Sequence, residues 1–167
     1  IEDSIEPSLF IDDNFLRFSN DSKEIMKDLV KKILNLTLDK KYLYSDEKLK
    51  NSMRAETKQA ISTLYQVGEK PDQNYNEYRD GDPQLQNYLN KLDWSNPWSS
   101  GGQFSAFCVF SKINDANTNI DTLNNFSEKL IDFETGGYFL GSISSNSLLV
   151  NGAMKILSGL DWIDVPV

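Results

Sequence analysis

From residue 21 onward the apolar residues fall at three- and four-residue spacing, a period that selects amphipathic helices over strands. Asp21 and Glu24 read as a capping box, and Ile25, Met26, Leu29, Val30, Ile33 and Leu34 form one stripe behind them. Ser45 or Asp46 caps a second helix, whose stripe is Met53, Thr57, Ala60, Ile61, Leu64 and Tyr65 and whose stop is Gly68. Pro83, directly after Asp82, opens a third helix carrying Leu85, Tyr88, Leu89 and Leu92. Residues 93–102 form a loop that turns into a fourth helix holding Phe104, Phe107, Cys108 and Ile113. Asp121 caps a fifth with Leu123, Phe126 and Leu130, and residues 132–139 are a loop. The sixth carries Leu149, Ala153, Ile156, Leu157 and Leu160 and breaks before Pro166. The expectation is an all-α fold, six helices paired in sequence as three hairpins.

The first 20 residues lack a helical period: Pro7, Leu9-Phe10-Ile11 and Phe15-Leu16 read as an extended N-terminal arm lying against the body. Residues 21–167 are then one helical-hairpin domain, a size that can bury its own core. The chain opens at Ile1 without a charged-then-apolar leader, which reads as a removed leader or a piece of a longer protein.

Two junctions look alike. Leu92-Asp93-Trp94 and Ile131-Asp132-Phe133 each end an amphipathic helix, and each is followed by a Gly-Gly pair near an aromatic and then a more apolar helix. The two aspartates are 39 residues apart, within the range of helical-hairpin repeats. Glu134-Thr135-Gly136-Gly137-Tyr138 is similar to the acidic-Gly-Gly-aromatic turn of the (α/α) barrel or toroid superfamily. Residues 142–160 resemble the inner helix that follows that turn, and residues 94–110 are a looser copy. The resemblance spans roughly residues 45–162 and implies inner and outer helices alternating around a central cavity. With only three hairpins, the chain is either part of a larger toroid or an open helical-repeat array. No Asp-rich cyclase motif is present, and the lack of histidine removes a prenyltransferase-type zinc site. Isoprenoid handling would need a deep aromatic cavity and an Arg/Lys set for a diphosphate, against which the acidic balance argues. Glycan-acting toroid enzymes resemble the chain no more closely, but their chemistry needs only carboxylates and aromatics, which it has.

Composition narrows the chemistry further. The formal net charge is −8, which repels phosphate backbones and argues against nucleic acid while favouring neutral or cationic ligands; solubility alone also accounts for it. There is no histidine and one cysteine, Cys108, inside the apolar run 104–110. An internal disulfide, the common zinc sites and Ser-His or Cys-His catalysis are therefore excluded, no cofactor motif is present, and Cys108 reads as a buried inert thiol. No apolar run is long enough to span a membrane. Three N-x-S/T sites, at Asn20, Asn35 and Asn125, fit a secretory route and equally an Asn-rich composition.

Acid–base chemistry falls to carboxylates. Asp93, Asp132 and Glu134 are the candidate catalytic groups: two carboxyls with split pKa values at hairpin tips can act on a glycosidic bond. Capping and turn formation are the plainer roles for the same residues. Trp94, Trp98 and Tyr138 are candidate substrate-binding aromatics, which either stack on a sugar or seal the hairpin tips. Backbone N–H groups of residues 99–102 offer an anion site at a helix N-terminus. Arg54, with Lys58 and Glu47 as its near neighbours on the helix, either meets a carboxylate on a substrate or forms a solvated or interhelical ion pair. Residues 72–82 are long for a hairpin connection and read as a lid or a mobile loop; their acids do not follow the EF-hand order.

Two functions follow. One is a carbohydrate-active enzyme or fragment with a toroid-like cavity and a small-molecule or glycan ligand. The alternative is a non-catalytic helical-repeat module that binds a protein, marked by a contiguous exposed apolar patch. An incomplete ring also leaves an apolar flank that favours self-association.

Overall fold

A computed structural model describes residues 28, 47–73 and 75–166. The chain divides into two compact units, Ile1–Gln73 and Asn74–Val167. The expected arm over residues 1–20 lies outside the described residues, as does the expected first helix except for Asp28, which is helical.

In the first unit, helix α1 (Glu47–Gln66) buries Thr57, Ala60, Ile61 and Leu64 of the expected stripe, leaves Met53 and Tyr65 half-buried at its ends, and also buries Arg54. It ends as its glycine dictates. Gly68 takes φ +77, its N–H donates to Tyr65 O at 3.0 Å, and Glu69 N–H donates to Leu64 O at 2.9 Å. Together these form a Schellman motif, satisfying carbonyls that the helix end leaves open.

The second unit holds the remaining four helices among the described residues and one short hairpin. Helix α2 (Pro83–Lys91) starts where Asp82 accepts from Gln84 N–H at 2.9 Å, with Pro83 in the first turn, and it buries Leu85 and Leu89. Helix α3 (Pro97–Ile113) is the centre of the unit, buried over nearly its whole circumference, and Cys108 within it is fully buried. Helix α4 (Asn117–Leu130) lays Leu123, Phe126 and Leu130 inward. Strands β1 (Ile131–Asp132) and β2 (Gly137–Tyr138) pair antiparallel, with Ile131 opposite Tyr138 and Asp132 opposite Gly137. Helix α5 (Asn146–Trp162) closes the unit, capped by Ser145 Oγ accepting from Leu148 N–H at 3.3 Å.

The all-α class is as expected, with corrections in detail. Helix α3 begins at Pro97, so Gly101 and Gly102 lie within it rather than in the preceding loop. Asn96 explains the early start: its side chain accepts from Ser99 N–H at 3.4 Å, and Pro97 suits the first helical position. Glycine inside the helix serves close packing, because Gly101 and Gly152 line the seam where α3 meets α5. A Cβ on Gly152 would stand 2.4 Å from Pro97 Cβ, and one on Gly159 would stand 2.9 Å from Ser105 Cα. Helix α4 starts at Asn117, four residues before the expected Asp121 cap. Its acceptor comes from far away in sequence: Asp80 accepts from Asn119 N–H at 2.9 Å and from the Thr118 hydroxyl at 3.2 Å.

That contact also explains the long polar connection. Among the described residues it is a pinned strap, not a free loop. Gly81 N–H donates to Asn119 Oδ1 at 3.0 Å, and Asn114 Nδ2 donates to Tyr75 O at 2.7 Å. The Tyr75 ring meets Phe110 edge-on at 4.5 Å, and Tyr78 leans on Phe107 at 5.3 Å. These ring contacts and side-chain bonds offset the ordering entropy of a segment without regular structure.

Candidate functional site

The two look-alike junctions meet at one end of the second unit, where α2 and α4 finish and α3 and α5 begin. Leu140 N–H donates to Trp94 O at 3.3 Å, and Phe139 N–H donates to Leu130 O at 2.8 Å. Tertiary structure therefore brings together the turn holding Asp93 and Trp94, which leads into Trp98 in the first turn of α3, and the hairpin holding Asp132, Glu134 and Tyr138. What the side chains do there differs from residue to residue.

The acids form turns. Asp93 Oδ1 accepts from Ser95 N–H at 3.1 Å and from the Ser95 hydroxyl at 2.6 Å. Asp132 Oδ1 accepts from Glu134 N–H at 3.4 Å, while its Oδ2 accepts from the Thr135 hydroxyl at 2.6 Å. Both are Asx-type contacts that hold a reversal of the chain. Glu134 is exposed on the hairpin turn.

The aromatics divide. Trp94 is only 3% exposed, donates its indole N–H to Leu89 O at 2.9 Å, and packs on Phe126 at 5.4 Å and Phe104 at 6.5 Å. It has no face open for stacking and anchors the junction as a core residue. Tyr138 is likewise buried on β2. Trp98 is 44% exposed, and the Lys155 ammonium stands 4.7 Å from its ring centroid, a cation–π contact between α3 and α5.

Arg54 belongs to the other unit. It is buried on α1, where its guanidinium donates to Asn51 Oδ1 at 2.6 Å and to Glu47 Oε1 at 3.5 Å. The expected anion site over residues 99–102 is corrected. Ser99 and Ser100 N–H donate to Asn96 O at 3.1 and 3.2 Å, and the glycines that follow lie inside α3. The helix thus uses the donors that a bound anion would need. At Asn125 the sequon is folded into α4, with Ser127 buried and its hydroxyl donated to Asn124 O at 2.7 Å.

A different surface is built for contact. The sixth predicted helix carries Leu149, Ala153 and Leu157 in one apolar stripe with Ile156 and Leu160. In the structure Ile156 and Leu160 are buried together with Gly152 and Gly159, of which Gly152 and Gly159 meet α3. Leu149, Ala153 and Leu157 are half-buried and turned to one side, beside Val150, 64% exposed, and Met154, 51% exposed. These five residues and Thr135, Gly136 and Gly137 of the hairpin line an open groove of about 440 Å³. Gly137 lets the hairpin approach: a Cβ there would fall 2.2 Å from Leu149 Cδ1. The eight lining residues carry no charge.

The signal for this groove was present in the sequence. Leu148, Leu149, Val150, Ala153, Met154, Ile156, Leu157 and Leu160 occupy too wide an arc for one buried face. By contrast, the pocket between the strap and α3, lined by Tyr78, Phe107 and Asn119, holds about 10 Å³, scarcely one water.

Among the described residues no group of three or more acids or cysteines could hold a metal ion, and no helix is long and apolar enough to cross a membrane. In comparisons with known proteins, no family model, no curated protein and no solved structure matches this chain.

Proposed function

We propose that this chain is a non-catalytic helical module that binds a segment of another protein through the groove on α5. The observation that carries this reading is the contiguous apolar strip of Leu149, Val150, Ala153, Met154 and Leu157, open to solvent beside a glycine hairpin. Val150 and Met154 contribute little to the core, and a continuous exposed apolar strip of this kind is characteristic of interaction sites. Its shape suits a helix laid into a groove, with anchors at three- and four-residue spacing. Methionine suits such a surface because its flexible thioether adapts to the partner.

The carbohydrate-acting (α/α) toroid reading keeps one favourable observation, the exposed ring of Trp98. Against it stand the turn-forming bonds of Asp93 and Asp132 and the burial of Trp94 and Tyr138.

Calorimetric titration of the whole chain separates the two. A 14-residue amphipathic helical peptide should bind, and Met154→Asp should abolish that binding while preserving helical ellipticity. Binding of a neutral or acidic oligosaccharide that is lost in Trp98→Ala, with no peptide binding, would overturn the proposal.

A further inference from the structure

We infer that the occupant of the α5 groove is a cationic amphipathic helix, an inference that rests on the protein-binding reading above. The groove floor is uncharged, so charge at its margins selects among apolar partners. Asp161 lies one turn beyond Leu157 on the same face of α5 and is exposed. Glu134 is exposed on the hairpin turn next to Thr135, which lines the groove. The two acids therefore lie at different margins of the strip, Glu134 on its hairpin side and Asp161 beyond its C-terminal end. The lysine of α5, Lys155, sits over Trp98 rather than among the lining residues. Lys112 is paired with Asp164. The whole chain adds a net charge of −8.

This distribution weighs against three other occupants. A second copy of the chain would bring its own acids to the same margins, and an anionic lipid surface or a nucleic acid would be repelled by the net charge. A helix with an apolar stripe and Lys or Arg flanking it satisfies both floor and margins. The strip from Leu149 to Leu157 is about 12 Å long at 1.5 Å per residue, so about two turns of partner helix cover it.

Three fluorescein-labelled 14-residue peptides test this on the full 167-residue chain by anisotropy. The first has Leu and Met at helical spacing flanked by lysines, the second keeps that apolar stripe with glutamates in place of the lysines, and the third keeps the lysines and scrambles the stripe. The lysine peptide should bind about tenfold tighter than the glutamate peptide, through two attractive margin contacts becoming repulsive. The gap should shrink as salt rises. The double variant Glu134→Lys, Asp161→Lys should reverse the preference.

Equal binding of the lysine and glutamate peptides, both lost in Met154→Asp, would overturn the cationic partner and leave the groove reading intact. Binding of the scrambled peptide as tightly as the first, or of no peptide at all, would overturn the groove reading itself. A concentration-dependent dimer in sedimentation equilibrium that disappears in Met154→Asp would assign the face to a second copy. Binding to phosphatidylserine vesicles lost in the same variant would assign it to a membrane surface. Either outcome would overturn the inference.

Discussion

The same substitution, glycine to alanine, should have opposite signs at two positions in the α3–α5 pair. Gly102 lies in the interior of α3, and a Cβ there would meet nothing within 4 Å. Gly102→Ala therefore gains helix propensity without a clash, about 0.8–1 kcal/mol in favour of the folded state. Gly152 gains the same propensity, but its added Cβ would stand 2.4 Å from Pro97 Cβ, 2.8 Å from Cγ and 3.0 Å from the Pro97 carbonyl carbon. Ordinary carbon contacts lie near 3.5–4.0 Å, and a proline ring at a helix start cannot rotate away. The helices must separate by about 1 Å, at an overpacking cost of about 1–3 kcal/mol. Three contacts at or below 3.0 Å put that cost in the upper part of the range, about 2–3 kcal/mol, so net of the propensity gain Gly152→Ala should destabilise by about 1–2 kcal/mol. Urea unfolding followed by helical ellipticity reads both. With an m-value of about 2 kcal/mol/M, the midpoint should rise by about 0.5 M for Gly102→Ala and fall by 0.5 M or more for Gly152→Ala. Destabilisation by Gly102→Ala would mean that the Gly-Gly pair is a turn and that α3 does not begin at Pro97. A neutral or stabilising Gly152→Ala would refute the close approach of α3 and α5.

Other consequences can be read independently. Asp80→Ala removes the acceptor for Asn119 N–H and Thr118, so α4 should lose about 1 kcal/mol and hydrogen exchange at Asn119 should speed up about fivefold. Unchanged protection there would mean that the strap does not cap α4. Trp94→Phe removes the indole donor from the Leu89 carbonyl, which keeps Leu92 N–H at 3.3 Å, and should cost about 1 kcal/mol in chemical denaturation, with peptide affinity unchanged. A loss of affinity without a loss of stability would return Trp94 to the binding site. Cys108 is fully buried, so Ellman's reagent should label it only at the rate of unfolding; rapid labelling of the folded chain would contradict the packing of α3.

Local chemistry made much of the fold legible. Pro83 after Asp82 and Gly68 behind the α1 stripe each act within a few residues of their own position, and each boundary falls where the sequence puts it. Sequence reading failed where the deciding contact is remote. The first turn of α4 is capped from Asp80, 39 residues before Asn119, which no local window contains. Gly101 and Gly102 read as loop because the use of Gly101, close approach to α5, appears only once α5 is in place, while a Cβ on Gly102 would meet nothing. The site was legible to a lesser degree. Periodicity placed Leu149, Ala153 and Leu157 on an apolar face, yet period alone does not say which part of a wide face meets α3. The same limit applies to Trp94 and Trp98, four residues apart, one folded under α4 and the other facing solvent.

Chemical-shift mapping of the whole chain with the lysine-flanked helical peptide tests the groove most directly. The expected result is saturable shifts at the amides of Leu149, Val150, Ala153, Met154 and Leu157, joined by those of residues 135–137, with Asp93 and Trp98 unmoved. Shifts centred on Asp93 and Trp98, or none at saturating peptide, would contradict a protein-binding groove on α5.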